Sequence, residues 1–137
     1  MKYVLSFFFM ALLLLNAKLL LAQQPAIAGL RFDYKKYYLD QRKKKYTGTD
    51  TIEVVYRFTN SGTQPLLIES VSSSCSCSVP DYTKAPVKPN ETGYIKLTTT
   101  YDKLSLIKKV HAVVIANTKE KYYKLELFLS GKDNVNP

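Results

Sequence analysis

Tryptophan is missing from this 137-residue chain, histidine occurs once and cysteine twice. With His111 as the sole histidine, a serine–histidine–aspartate arrangement has one place to be built, and no nucleophile motif accompanies it. Phosphate-binding loops and paired-carboxylate signatures are lacking as well, so the residues predict no enzyme and no resident cofactor. Two cysteines are far too few for a cysteine-stapled scaffold. Both methionines fall within the first ten residues, and with one histidine a tetrahedral zinc site would need a carboxylate as its fourth ligand. Helical periodicity is hard to find after residue 25. Acidic residues are the minority, 11 against 20 lysines and arginines, for a formal net charge of +9.

The long apolar run is at the N-terminus. Lys2 supplies a positive start, Val4 to Leu15 is apolar apart from Ser6, and Leu19 to Ala22 resumes the run before Gln23-Gln24-Pro25. This predicts a secretory signal over residues 1–22, cleaved after Ala22, with Ala17 as the second choice. A retained anchor would need roughly 20 apolar residues, and Lys18 sits where a spanning helix tolerates it least. No cysteine follows the run, so the usual lipoprotein attachment is not expected. The mature chain, residues 23–137, has the length of one domain, and removing Lys2 and Lys18 leaves a charge of +7.

After the signal, period-two alternation recurs. Ile52, Val54, Tyr56 and Phe58 share one face, with Glu53, Arg57 and Thr59 opposite. Ile95, Leu97 and Tyr101 alternate with Tyr94, Lys96 and Thr98. Val110, Ala112, Val114 and Ala116 form a third inward set, and Tyr123, Leu125, Leu127 and Leu129 a fourth. Leu66 to Val71 reads as a short strand, and Leu30 to Tyr34 with part of Lys36 to Leu39 opens the domain. Asn60-Ser61-Gly62, Pro65, Pro80, Pro86, Pro89-Asn90 and Asn117-Thr118-Lys119 punctuate the runs. About seven short strands with brief connections predict an all-β, antiparallel sandwich.

The order Phe58-Thr59-Asn60-Ser61-Gly62, Pro65-Leu66-Leu67-Ile68, Val71 and Ser74-Cys75-Ser76-Cys77-Ser78-Val79-Pro80 resembles a bacterial domain of unknown function, family 1573. Pro86-Val87, Pro89-Asn90, Gly93-Tyr94-Ile95, Tyr101-Asp102, Lys109, Ala116-Asn117 and Leu129-Ser130-Gly131 extend the likeness, which runs from about 51 to 131. The resemblance implies an immunoglobulin-like sandwich, similar to major sperm protein and pilus-chaperone-type domains. It further implies export in bacteria of the Bacteroides group and no established catalytic activity. Ser76 stands where the family usually has the glycine that permits a tight turn, and Asn90 where it usually has glycine after proline.

Cys75 and Cys77 lie one residue apart. In an extended strand their Cα atoms would be about 6.6 Å apart, at the limit of the roughly 4.4–6.8 Å that a disulfide spans. Closing the pair therefore needs a local turn. The loop-entropy gain of so small a ring is about 1.6 kcal/mol before strain is subtracted. Three readings follow. In the first the cysteines are packing residues, one in the core and one near the surface, joined or not by oxidation. In the second they hold a two-coordinate Cu(I) ion, and in the third they exchange thiols with a partner.

Arg31 to Lys45 carries seven basic residues interleaved with Tyr34, Tyr37 and Tyr38. Lys43, Lys44 and Lys45 are expected either to form a solvated hairpin tip that protects an edge strand or to meet an anionic envelope polymer or acidic protein face. Export argues against nucleic acid. Together these features predict an exported, periplasmic or extracellular, non-enzymatic module that binds another cell-envelope protein through sheet edges and loops. The alternative is an envelope copper-binding or thiol-redox accessory protein using Cys75 and Cys77.

Overall fold

In the computed structural model of the chain, residues 26–42 and 44–130 are described. The signal segment 1–22 and Lys43 fall outside the described residues. Eight strands and one short helix follow in the order β1 (Leu30–Phe32), β2 (Lys36–Asp40), β3 (Thr51–Asn60), β4 (Ile68–Ser73), β5 (Val79–Tyr82), β6 (Thr92–Thr100), α1 (Tyr101–Ile107), β7 (Lys109–Ala116) and β8 (Tyr122–Ser130). They form two four-stranded sheets, β1-β3-β6-β5 and β2-β8-β7-β4. With β2 set aside, the order matches the ABED and GFC sheets of an immunoglobulin constant domain. The all-β sandwich expected from the alternation is therefore the fold.

The alternation works as the pleat requires, since successive side chains point to opposite faces. Tyr56, Phe58, Ile95, Leu97, Val110, Val114, Leu125 and Leu127 are all fully buried between the sheets. Phe32 meets Phe58 and Tyr123 edge-on, with ring centroids 5.9 and 6.0 Å apart, a favoured aromatic geometry. Gly93 lies directly across from Phe58 in the ladder, and a Cβ there would come within 2.4 Å of the Phe58 ring. The glycine is what lets that ring lie flat over β6.

Three features depart from the sequence reading. The first is β2, which runs parallel to β8 where the other strand pairs are antiparallel. The opening edge strand is divided: β1 pairs with Phe58–Asn60 of β3 in one sheet, then the chain crosses and β2 pairs with Glu126–Ser130 of β8 in the other. Two tyrosine hydroxyls cap carbonyls at this crossing. Tyr34 donates to Val55 O at 2.6 Å and Tyr56 to Glu126 O at 2.8 Å.

The second is α1, which begins at Tyr101, a residue expected to continue β6. Its one buried side chain is Leu104, and it ends where Lys108 adopts a left-handed conformation (φ 62°) and donates its N–H to Leu104 O. The Tyr101 N–H donates to Asp50 O and that of Asp102 to Gly48 O, which ties the loop before β3 to the start of the helix. The third concerns residues 41–50. Because β2 and β3 lie in different sheets, this segment is an inter-sheet connection rather than the hairpin tip expected around Lys43, Lys44 and Lys45.

Candidate interaction site

Cys75 and Cys77 sit in the connection between β4 and β5, which belong to opposite sheets. Their sulfurs are bonded to each other across a Cα–Cα distance of 5.2 Å, inside the usual range for disulfides. The turn that closure requires is present, with Ser78 N–H donating to Cys75 O. Ser76 is not among the residues with positive φ, so this turn does not need the glycine that the family usually has. Both cysteines are half-buried and pack against the core. The expectation of one core and one surface cysteine is corrected accordingly: a ring this small keeps the two side chains at one depth. Because the sulfurs are joined, the Cu(I) reading would require reduction first. Among the described residues no group of three or more His, Cys, Asp and Glu side chains could hold a metal ion.

Of the lysine group, Lys44 places its Nζ 5.0 Å from the Tyr46 ring centre and Lys45 is exposed. Tyr46 stacks on Tyr101 at 5.9 Å, so the inter-sheet loop is anchored by aromatic contact. His111 is half-buried on the outer face of β7, and its backbone pairs with Ser74, whose Oγ accepts the His111 N–H. The same outer face carries Glu126, flanked by Lys109 at 2.5 Å and Lys124 at 3.2 Å. The hydrogen bond from Lys109 is the main cause that holds the Glu126 carboxyl below its ordinary range, against the opposing effect of burial.

The turn Asn60-Ser61-Gly62 carries more structure than its sequence suggested. Asn60 is fully buried. Its Nδ2 donates to Gln64 O at 2.7 Å and Val87 O at 2.9 Å, while its Oδ1 accepts from Gly29 N at 3.2 Å and Gly62 N at 2.9 Å. Every donor and acceptor of the amide is used. One side chain thereby joins the end of β3, the following turn, the segment before β1 and the Leu66–Val87 bridge. Gly62 is required there, because a Cβ would fall 2.2 Å from Ile27 O. Asn90, on the adjoining turn, has φ 64°, which glycine adopts freely and asparagine tolerates. Sequence reading missed the hub because a buried asparagine and a turn asparagine look alike until the partners of the amide are known.

The sheets also expose an unused edge. Arg57 O accepts from Asp33 N and Val55 O from the Tyr34 hydroxyl, so the odd-numbered residues of β3 turn their backbone groups away from β6. Beyond Phe58 toward Thr51, no strand among the described residues pairs with that side of β3. The N–H of Val55 and both backbone groups of Glu53 therefore line an open edge. Two of the other edges are blunted: β5 is four residues long and contains Pro80, which has no N–H to offer, and β4 is irregular between Ile68 and Ser70; the fourth edge strand, β2, is five residues long.

A family described as "Protein of unknown function (DUF1573)" matches residues 32–130. The chain belongs to the DUF1573 family. The match begins earlier than the resemblance at about 51 indicated, taking in the end of β1 and all of β2, so the crossing between the two parts of the edge strand lies within the DUF1573 unit. A crystal structure of a protein of unknown function from Porphyromonas gingivalis W83 is similar in fold, with a TM-score of 0.57 at 14% sequence identity. The match covers 79% of this chain and 50% of that one, so this DUF1573 chain spans half the length of that relative. A FixG-related protein from Vibrio parahaemolyticus matches over 80% of this chain and 98% of its own at 14% identity, with a TM-score of 0.38. No curated protein matches the chain.

Proposed function

We propose that this chain is a non-enzymatic binding module of the bacterial cell envelope, exported by residues 1–22, which receives an extended segment of a partner protein along β3. The observation that carries the reading is the open edge from Thr51 to Val55. Unpaired backbone donors and acceptors on a regular strand form a template for strand addition, in which main-chain bonds give affinity and alternate side chains give selectivity. The edge exists because the opening strand leaves for the other sheet after Phe32. Core side chains fix β3 in place, so the template is preformed, and the cost of ordering falls on the incoming segment alone.

The test is a photo-crosslinker carried at Val55 in envelope preparations, combined with Glu53→Pro. The Glu53 N–H faces the edge rather than β6, so proline there removes a donor from the edge without removing a ladder bond to β6. Glu53 also pairs with Lys96 at 3.4 Å, and Glu53→Ala controls for that contact. The expected result is one protein crosslinked by the wild type and the alanine variant and lost with proline, while circular dichroism stays unchanged. Crosslinking that survives proline in a folded variant would overturn the reading.

A further inference from the structure

We infer that the Cys75–Cys77 disulfide is an exchangeable redox site, reducible by an external dithiol while the domain stays folded. This does not depend on the β3 edge. The loop-entropy gain of a ring with sequence separation 2 lies near the bottom of what chain closure offers, and neither cysteine belongs to the buried core cluster, against which both only pack. The segment is also held by bonds that do not involve sulfur. Ser74 N donates to His111 O at 2.8 Å and Ser74 Oγ accepts the His111 N–H at 3.1 Å, fixing the entry to β7. Thr99 Oγ1 donates to Cys77 O at 2.9 Å, fixing the exit to β6. Opening the ring leaves both anchors in place.

Two further features mark this loop. Both cysteines are only half-buried, so an attacking thiolate does not have to wait for the core to open. Ser73 and Ser78, which bracket the ring in the chain, are the residues among those described whose buried hydroxyls find no partner. Reduction puts two S–H groups between them in sequence, each a weak donor and acceptor. The joined state of the sulfurs fits the oxidising compartments to which an exported chain is sent.

The step is a thiol–disulfide exchange. A thiolate of the dithiol attacks Sγ of one cysteine, a new S–S bond forms, and the Sγ–Sγ bond breaks, releasing the other cysteine as a thiolate. The second thiolate of the dithiol then attacks the mixed disulfide, closing the dithiol into its own disulfide and freeing the first cysteine. The two protons lost by the dithiol end on Cys75 and Cys77, and two electrons pass to the pair.

The probe is dithiothreitol, applied to the purified protein without denaturant, with thiols counted by alkylation and mass measurement. Direct attack predicts that the reduction rate rises about tenfold for a tenfold rise in thiolate, with unchanged circular dichroism and full recovery of the bond on oxidation. A rate that saturates at the rate of global unfolding would overturn the inference, because the bond would then open only in the unfolded chain. The double variant Cys75→Ser, Cys77→Ser supplies an independent check. Its folding with a cooperative transition supports an exchangeable site, and its failure to fold would assign the bond a structural role instead.

Discussion

Replacing Asn60 by alanine removes an amide that is fully buried and makes four hydrogen bonds. The four partners do not suffer equally. Val87 O keeps the bond from Leu66 N, and Gln64 O lies where the bond is part-buried and water can approach. Gly29 N and Gly62 N lose the Oδ1 that accepts them. A buried donor left unpaired costs about 1–3 kcal/mol, so two of them give about 2–6 kcal/mol, tempered by partial exposure to about 3 kcal/mol. That is a large share of the roughly 5–15 kcal/mol typical of a domain, and corresponds to a fall in Tm of roughly 10 °C. Urea unfolding should show the loss as a lower midpoint at unchanged slope. A loss below about 1 kcal/mol would refute the claim that the amide holds these segments together. Asn60→Asp sharpens the test. Its carboxylate would still accept from Gly29 and Gly62 but would face the carbonyls of Gln64 and Val87, so burial and repulsion raise its folded pKa above the unfolded value near about 3.9. A raised carboxyl pKa contributes stability below the unfolded pKa and loses it as pH rises through the folded one. The aspartate variant should therefore approach the wild type near pH 4 and fall away toward pH 7.

Gly93→Ala should cost about 1–3 kcal/mol, the range for overpacking a dense core, because its Cβ would meet the Phe58 ring; Phe58→Leu in the same chain should return part of that loss in thermal unfolding. Glu126 has a depressed carboxyl pKa, caused first by Lys109, so its contribution to stability is present above the unfolded value near about 4.3 and fades as pH falls through the folded one. Glu126→Gln should accordingly flatten the acid limb of a stability–pH profile, as measured by chemical denaturation. Intact-mass measurement of the exported protein should find a mature chain beginning near Gln23, and retention of residues 1–22 in membrane-bound material would count against the signal reading.

Some of this was legible in the residues because it depends on local periodicity. Alternation along residues 52–58, 95–97, 110–116 and 123–127 identified strands and the side chains they bury, since a pleated strand has a period of two and only one phase puts the apolar set inward. That a bond between Cys75 and Cys77 would need a turn followed from the reach of a disulfide; that the bond is made did not. The family was recognisable as a resemblance carried by the Asn60-Ser61-Gly62 turn and the Ser74-Cys75-Ser76-Cys77 stretch. Helix α1 was not legible: seven residues with one buried leucine are too few for helical periodicity to register, and a helix so short does not hold without tertiary contacts. It is kept by Leu104 and by the bonds that Tyr101 N–H and Asp102 N–H donate to Asp50 O and Gly48 O.

Which edge of the sandwich stays open was decided by tertiary structure alone. The sequence shows that Thr51 to Asn60 is a strand and that Leu30 to Leu39 opens the domain. It does not show that the opening strand gives its first three residues to β3 and its next five to β8, because that division depends on where residues far apart in the chain come to lie. The same holds for Asn60, whose role is set by Gly29, Gly62, Gln64 and Val87 converging on one amide. Local pattern determined which residues face inward, and long-range pairing determined which backbone groups of β3 no neighbouring strand takes up among the described residues.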